Sequence, residues 1–230
     1  MKVLRTFWGY GFVVSIWLMA SIAQAEASAE QAAHKTVQVS VDRLLTVIGN
    51  ERKHYKSDPQ RFLNAIDTAL APSIDYRRIA GRIMAKYYKK ATKEQRKEFL
   101  QVFKQSLLKT YAKGLAEYEG YQIKVLPLAS AATSKNKKSV KIDLEVVTAS
   151  GKNFPLSYSM YHNKKGEWKL QNVIINGINV GLTFRNQFAQ LMRINKGNID
   201  KVIDAWTNEL RKQADQNSPE GASATTGLES

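Results

Sequence analysis

The spacing of apolar residues changes at Gly120 from the period of a helix to the period of a strand. Before this glycine, large apolar residues recur every three or four positions, at Phe99, Phe103, Leu107, Tyr111, Leu115 and Tyr118. After it, apolar and polar residues alternate in four short segments, at 121–125, 140–146, 154–160 and from 168 onward. Because the connections between these segments are short, the pattern predicts an antiparallel meander of four strands.

Helical patterns precede and follow the predicted strands in the sequence. The apolar stripes predict helices over 37–48, 59–70, 75–88, 92–120, 183–194 and 199–212. Asp58 before Pro59 is a helix start signal, and Thr92 with Gln95 has the spacing of a capping box. With no internal repeat or linker, residues 37–212 are predicted to form one α+β domain. Its helices should pack on one face of a curved, mainly antiparallel four-stranded sheet.

The N-terminus has the composition of an export signal. Lys2 and Arg5 precede an apolar run over 7–20, and Ala-Gln-Ala at 23–25 supplies small residues for cleavage. An uncleaved anchor is the alternative, but the run is shorter than the roughly 20 residues that span a bilayer. Three terminal segments are therefore expected: a signal peptide at 1–25, a flexible mature terminus at 26–36 and a disordered tail at 213–230.

The chain is strongly basic and lacks cysteine. Its formal net charge is +15, and +13 without Lys2 and Arg5. A basic balance often indicates nucleic acid, but export removes that partner and favours anionic lipid surfaces or acidic protein faces. A purely solubilising role for the lysines is equally consistent. Without cysteine, and with three histidines that lack ligand spacing, neither disulfides nor a metal centre is expected.

Catalytic motifs are missing from the sequence. It has no GxSxG, HExxH, GxGxxG or phosphate-loop motif. Asp75 before a predicted helix could be a general base in a pocket, although an aspartate there more often caps the helix. An exported isomerase or hydrolase that uses Asp75 or a histidine is one alternative function, and an adaptor with a basic docking face is another.

The segment NVIINGINVGLTFRNQF, residues 172–188, stays apolar through the connection between the last strand and the next helix. Connections usually carry polar residues because they run over the protein surface. This segment therefore either closes the core or forms the wall of a cavity. Periodicity alone does not distinguish a packed interior from one that encloses a space.

Three segments resemble the MlaC family, also called the toluene-tolerance auxiliary family, over about residues 44–210. They are YRRIAGRIMAKYYKKATKEQRKEFLQVFKQSLLKTYAKGLAEY at 76–118, GEWKLQNVIINGINVGLTFRNQF at 166–188 and GNIDKVIDAWTNEL at 197–210. The most specific parts are KYYKKAT-x-x-QR-x-x-F at 86–99 and GEWK followed by I-x-G-x-x-V at 166–180. No generic amphipathic helix or strand would reproduce both.

This resemblance implies a periplasmic carrier of phospholipids in the Mla pathway, which maintains lipid asymmetry of the outer membrane. The family fold is related to nuclear transport factor-like and cystatin-like cones, with acyl chains in an apolar cavity and the head group near solvent. No catalytic residue, metal or cofactor is implied, and the bound phospholipid is cargo. The implied partners of this monomer are an inner-membrane ABC transporter with a hexameric lipid-binding subunit and an outer-membrane lipoprotein–porin complex; nucleic acid is not one.

Inward periodicity and the family architecture together predict the site. The expected lipid-binding residues are Ile79, Ile83, Tyr87, Phe103, Leu107, Tyr111, Val125, Leu144, Val146, Tyr158, Trp168, Val173, Ile175, Val180, Leu182, Phe184 and Phe188. A one-residue error of register in the last strand would exchange Val173 and Ile175 for Ile174. Candidates for the cavity rim are Arg82, Lys86 and Arg185, for which a solvated helix face is the alternative.

Overall fold

The computed structural model describes the backbone of residues 11–116, 122–128, 139–147 and 151–216, with side chains between residues 29 and 208 of those ranges. The helices are α1 (Gly11–Glu51), α2 (Pro59–Leu70), α3 (Tyr76–Met84), α4 (Lys93–Ala116), α5 (Val180–Ile194) and α6 (Ile199–Gln216). Short 3-10 helices follow α1 and α3, at Arg52–His54 and Ala85–Tyr87. The strands are β1 (Gln122–Val125), β2 (Ser139–Val147), β3 (Asn153–His162), β4 (Trp168–Ile175) and β5 (Ile178–Asn179).

The sheet is an antiparallel meander in the order β1-β2-β3-β4-β5, so it has five strands instead of the predicted four. The additional strand β5 pairs with the end of β4 across a two-residue turn, Asn176-Gly177, in which φ is 49° and 79°. Positive φ at both positions is typical of the turn that joins tight hairpins. A strand of two residues is too short to show alternation, which is why periodicity missed it.

A bulge interrupts the pairing of β3 and β4. Ser159 pairs with Asn172 and Met160 with Leu170, which leaves Gln171 as the extra residue. The extra residue reverses the alternation of side chains along β4. For this reason Leu170 packs on the same side of the sheet as Val173, although three positions separate them.

The helix starts that were predicted from local signals are confirmed. Asp58 caps α2 by accepting a hydrogen bond from the backbone N–H of Arg61 at 3.0 Å. At α4, the Gln95 N–H donates to Thr92 Oγ1 at 3.1 Å, and the Thr92 N–H donates to Gln95 Oε1 at 3.0 Å. Gln95 also donates through Nε2 to Asp200 at 2.7 Å, so this capping box ties α4 to α6.

Helix α1 begins earlier than the pattern predicted, because residues 26–36 are helical instead of flexible. Ala33 is fully buried in contact with the group of side chains between α1 and the sheet, and His34 Nε2 donates to the carbonyl of Leu126 at 2.9 Å. Small residues gave this segment little hydrophobic signal, yet they allow a helix to approach a sheet closely. Within the described residues, no helix combines the length and apolar character needed to cross a membrane.

Several predictions fall on residues outside the described ranges. These residues include the first ten residues of the predicted signal peptide 1–25, the helix stop at Gly120, the turn at 132–138 and the tail from 217. Helix α6 continues to Gln216, four positions beyond its predicted end at 212.

The buried side chains of the described residues form three cores. The α3–α6 core lies among helices α3 to α6 around Phe99, whose ring meets those of Phe188 and Trp206 edge to face at centroid distances of 4.9 and 5.3 Å. The α1–sheet core lies between α1 and strands β1 to β4. The α1–α2–α4 core surrounds the fully buried Phe62. Helix α4 contributes to the first and third of these cores and α1 to the second and third.

The capping box generates the first prediction. Replacing Thr92 by alanine removes the side-chain acceptor at the start of α4, and we expect the free energy of unfolding to fall by about 1 kcal/mol. Thr92→Ser retains the hydroxyl and should stay close to the wild type. Urea denaturation followed by circular dichroism measures both variants. An equal loss in the serine variant would show that the methyl group matters instead of the cap.

Candidate binding cavity

An apolar cavity of about 240 Å³ lies where the three cores meet. Phe103 and Phe184 reach it from the α3–α6 core, Val41 from the α1–sheet core and Ile66 from the α1–α2–α4 core. Its described lining consists of Val37, Ser40, Val41, Leu44, Ile66, Leu70, Ser73, Ile74, Tyr76, Ile79, Phe103, Leu107, Leu108, Tyr111, Leu115, Tyr158, Met160, Leu170, Gln171, Asn172, Val173, Ile175, Val180, Gly181 and Phe184. We call this space the apolar cavity.

No acidic or basic side chain lies among the described residues of this lining. Burial raises the pKa of Tyr76, and the nearby Asp67 raises it further. Burial alone raises the pKa of Tyr158. Both phenols therefore stay protonated and uncharged at neutral pH. The cavity offers apolar contact without a charge, which suits a hydrocarbon ligand and disfavours an ionic one.

Nine of the predicted lipid-binding residues line this cavity. They are Ile79, Phe103, Leu107, Tyr111, Tyr158, Val173, Ile175, Val180 and Phe184. Val173 and Ile175 face it, while Ile174 does not, because of the bulge at Gln171. The face chosen for the last strand from the sequence is thus the one that the structure directs inward.

The structure places the other eight predicted residues away from the apolar cavity. Ile83, Tyr87 and Phe188 belong to the α3–α6 core or pack against it. Val125, Leu144 and Trp168 lie in or against the α1–sheet core, in which α1 packs on the sheet. The remaining two are Val146, which lies in β2 outside the lining, and Leu182, which is 50% exposed. Periodicity identified inward faces but not which helix covers each face.

The sequence reasoning missed the contribution of the first two helices and their connection to α3. The missed lining residues in this region are Val37, Ser40, Val41, Leu44, Ile66, Leu70, Ser73, Ile74 and Tyr76. From α4 and the sheet it missed Leu108, Leu115, Met160, Leu170, Gln171 and Asn172, and from α5 it missed Gly181. The apolar stripes of α1 and α2 were visible in the sequence. Nothing in them indicated that they face a space and not a solid core.

A second cavity, of about 440 Å³, adjoins the first between α3 and α5. Three cationic side chains line it, Arg82, Lys86 and Arg185, which are the three residues predicted for the rim. The other described lining residues are Ile79, Ile83, Ala85, Gln171, Asn172, Asn179, Gly181 and Leu182. We call this space the basic cavity. It shares Ile79, Gln171, Asn172 and Gly181 with the apolar cavity, so the two spaces have a common wall.

Hydrogen bonds of Asn172 fix the connection from β4 to α5. Its Oδ1 accepts from the Gly181 N–H at 3.0 Å, and its Nδ2 donates to Asn179 Oδ1 at 3.0 Å. Asn179 Oδ1 in turn accepts from the Leu182 N–H at 3.0 Å and caps α5. These bonds direct Val180 into the apolar cavity, whereas Ile178 is 62% exposed. The connection from β4 to α5 thus places one apolar side chain in the cavity wall and another at the surface.

Asp75 uses both carboxylate oxygens in the structure. Oδ1 accepts from the Arg78 N–H at 2.9 Å and caps α3, while Oδ2 accepts from the hydroxyl of Tyr161. The Arg78 guanidinium lies over the Tyr161 ring at 4.0 Å. Burial and the adjacent Asp75 raise the pKa of Tyr161 to about 12. These contacts favour the capping role of Asp75 over that of a general base, and Asp75 lines neither the apolar nor the basic cavity.

The three histidines lie apart from both cavities. His34 bonds the Leu126 carbonyl, His54 lies in the 3-10 helix after α1, and His162 packs against the Trp168 ring at 5.1 Å. Within the described residues, no group of histidine, aspartate and glutamate side chains is arranged to hold a metal ion.

Comparisons with known proteins identify a family and relatives of this chain. A model of the MlaC protein family matches residues 38–208. The chain is 40% identical over 195 residues to toluene tolerance protein ttg2D of Pseudomonas putida, covering 84% of this chain and 88% of that protein. It is 25% identical over 194 residues to the intermembrane phospholipid transport system binding protein MlaC of Haemophilus influenzae, covering 83% and 88% of the two chains.

A solved structure also matches this fold. It is the phospholipid-binding protein of Ralstonia solanacearum in complex with a phospholipid, with a TM-score of 0.71 and 25% sequence identity. The match covers 79% of this chain and 98% of that one.

The wall shared by the two cavities generates the second prediction. A Cβ at Gly181 would lie 2.4 Å from Asn172 Oδ1, so Gly181→Ala must displace the side chain that holds the start of α5. We expect a loss of about 1–3 kcal/mol in the free energy of unfolding. Gly114→Ala is the matched control in helix α4, because nothing lies within 4 Å of its added Cβ.

Urea denaturation of both glycine variants measures the effect. The control should be stabilised by roughly 0.5–1 kcal/mol, since alanine favours a helix interior. A Gly181→Ala variant as stable as the wild type would contradict the role of Asn172.

Proposed function

The chain belongs to the MlaC family, and we propose on this basis that it is a phospholipid carrier that holds the acyl chains of its cargo in the apolar cavity. The observation that carries the proposal is an uncharged, hydrocarbon-lined cavity in the same fold as a protein solved with a phospholipid. The name of the Haemophilus influenzae relative describes intermembrane phospholipid transport, which is the role we propose for this chain.

The physical need for such a carrier follows from the hydrophobic effect. Exposing a buried methylene to water costs about 0.8 kcal/mol, so a sixteen-carbon chain costs on the order of 10 kcal/mol to expose. A lipid therefore crosses an aqueous compartment slowly unless a protein replaces the membrane around its acyl chains. The cavity wall supplies that environment through nine residues predicted from the sequence and the apolar faces of α1 and α2.

We propose that the carrier works in the periplasm as a monomer. Residues 1–25 would direct export and be removed after Ala25, which leaves a helix that begins near residue 26 and continues to Glu51. Its partners would be an inner-membrane ABC transporter with a hexameric lipid-binding subunit and an outer-membrane lipoprotein–porin complex. Exchange of glycerophospholipid between them would maintain the lipid asymmetry of the outer membrane.

The proposal assigns no catalytic role to the chain. The alternative of an exported isomerase or hydrolase depended on Asp75 or a histidine as the base. Asp75 is engaged by Arg78 and Tyr161, and His34 is engaged by Leu126. The helices and the meander are proposed to form a cone of the nuclear transport factor-like and cystatin-like kind, in which the open space serves binding.

The cavity wall at the start of α5 generates the third prediction. Val180→Trp adds a large apolar side chain to the apolar cavity and should displace hydrocarbon from it. A loss of about 1–3 kcal/mol in binding corresponds to roughly 5- to 150-fold weaker retention of phospholipid. Ile178→Trp is the control, because it makes the same kind of change two residues away at an exposed position.

Mass spectrometry of protein purified from cells, under denaturing conditions, measures bound phospholipid in both variants and the wild type. We expect the wild type and Ile178→Trp to retain lipid and Val180→Trp to lose most of it. Unchanged lipid content in a folded Val180→Trp protein would place the acyl chains elsewhere. Wild-type protein without lipid, and unable to take it up, would reject the carrier function.

A further inference from the structure

We propose that the basic cavity binds the phosphodiester group of the lipid, so that the protein recognises the phosphate as well as the acyl chains. This inference rests on the proposed carrier function and adds a polar subsite to it. It assigns Arg82, Lys86 and Arg185 to one oxyanion, while the apolar cavity continues to hold the hydrocarbon.

The positive charges of the basic cavity are not neutralised by its described lining. Arg82, Lys86 and Arg185 come from α3, the following 3-10 helix and α5, and no described lining residue of the basic cavity is acidic. Within the described part of the chain, none of the three forms an ion pair with a carboxylate. Elsewhere, Arg61 pairs with Glu51 and Lys104 with Asp67, each at 2.7 Å.

Three like charges that face one concave space repel one another. An anion in that space removes the repulsion and gains charge-assisted hydrogen bonds. The basic cavity therefore favours an anion over a neutral polar group.

Hydrogen bonding fixes the position of Arg82. Its Nη1 donates to Gln171 Oε1 at 2.6 Å, and the same oxygen accepts from Arg78 Nε at 3.2 Å. Gln171 is 8% exposed, and its amide nitrogen donates to Ser139 Oγ and Ser159 Oγ at 3.1 and 3.3 Å.

A guanidinium has five N–H donors, and the bond to Gln171 uses one of them. The bulge residue therefore orients the planar group while donors remain for a ligand, and such a group matches the oxygens of a phosphate.

Side chains, and not the start of helix α5, must supply the donors to this anion. The N–H groups of Gly181 and Leu182 face the region but are bound by Asn172 and Asn179. The cation at Arg185 lies one turn further along α5 and projects into the same cavity. The subsite is therefore defined by its three cations, which substitution can remove one at a time.

The arrangement of the two cavities favours a phospholipid. Ile79, Gln171, Asn172 and Gly181 line both cavities, so the apolar and the basic space lie side by side. A phospholipid carries its phosphate next to the glycerol that joins the acyl chains, and it matches this order of surfaces. Free phosphate would use the basic cavity only and would leave the shared wall without a role.

The test compares two ligands with the same acyl chains. Dioctanoyl-phosphatidylcholine carries the phosphodiester, is zwitterionic and has a choline that donates no N–H hydrogen bond, whereas dioctanoylglycerol lacks the phosphate. Because the phospholipid has no net charge, the overall basic charge of the protein contributes little to the difference. Both ligands are titrated into delipidated full-length protein, and calorimetry gives the dissociation constants.

The variants are Arg82→Gln, Lys86→Gln and Arg185→Gln, each with circular dichroism to verify the fold. We expect each variant to weaken the binding of the phospholipid by about tenfold and to leave the binding of dioctanoylglycerol unchanged. The reason is that a hydrogen bond to a charged group is lost only with the first ligand. Arg193→Gln is the control, since Arg193 lies on the same helix α5, is exposed and lines neither cavity.

Three results would overturn the phosphate subsite. They are equal binding of the two ligands by the wild type, equal weakening of the binding of both ligands in the three variants, and a phospholipid-specific loss of the same size in Arg193→Gln.

Competition with inorganic phosphate distinguishes the lipid from free phosphate. Displacement of the phospholipid by micromolar phosphate would assign the basic cavity to free phosphate and also reject the proposal, whereas competition only at millimolar concentrations supports it. If the wild type binds neither ligand, the carrier function itself fails, and this assignment fails with it.

Discussion

The fold depends on an interior that is largely apolar but not filled. Each wall of the apolar cavity is one surface of a packed core, and those cores hold their side chains in place through close contacts such as that of Phe103 with Phe184, 5.5 Å between ring centroids. Close-packed cores resist collapse into a neighbouring space because their side chains have few alternative arrangements. Charged groups are absent from the described lining, since an unpaired charge in such a site costs several kcal/mol. The walls thus keep open a space that favours hydrocarbon over water.

The wall shared by the apolar cavity and the basic cavity depends on two consecutive residues of β4. In a regular strand Gln171 and Asn172 would face opposite sides of the sheet. The bulge allows both to line the cavities, where Gln171 holds Arg82 and Asn172 holds the start of α5. A single extra residue in the sheet therefore sets both the orientation of a basic side chain and the direction of the apolar connection. The same bulge brings Val173 and Ile175 onto the face that closes the apolar cavity.

Features that depend on neighbours in the chain were predictable, and features that depend on distant packing were not. The caps at Asp58 and Thr92 are contacts over three residues, so a short motif specifies them. The hairpin at Asn176-Gly177 was not predicted, because the strand that follows it has only two residues. Burial of Trp168 against α1 instead of in the cavity depends on a helix more than a hundred positions away in the chain. Three cations, of which Arg82 and Arg185 are more than a hundred positions apart, were predicted for the rim, yet their meeting in one cavity depends on how α3 packs beside α5.

Periodicity, turn residues and the missing cysteines were sufficient to specify an α+β chain that must bury apolar surface to be stable, and motif similarity indicated its family. They did so because these signals are local or compositional. The position of the cavity, the packing of α1 on the sheet and the bulge that turns Gln171 inward required the folded chain. The periodicity of apolar residues indicates which side chains are buried. Only the packing of one helix or strand on another determines whether the space around them is filled.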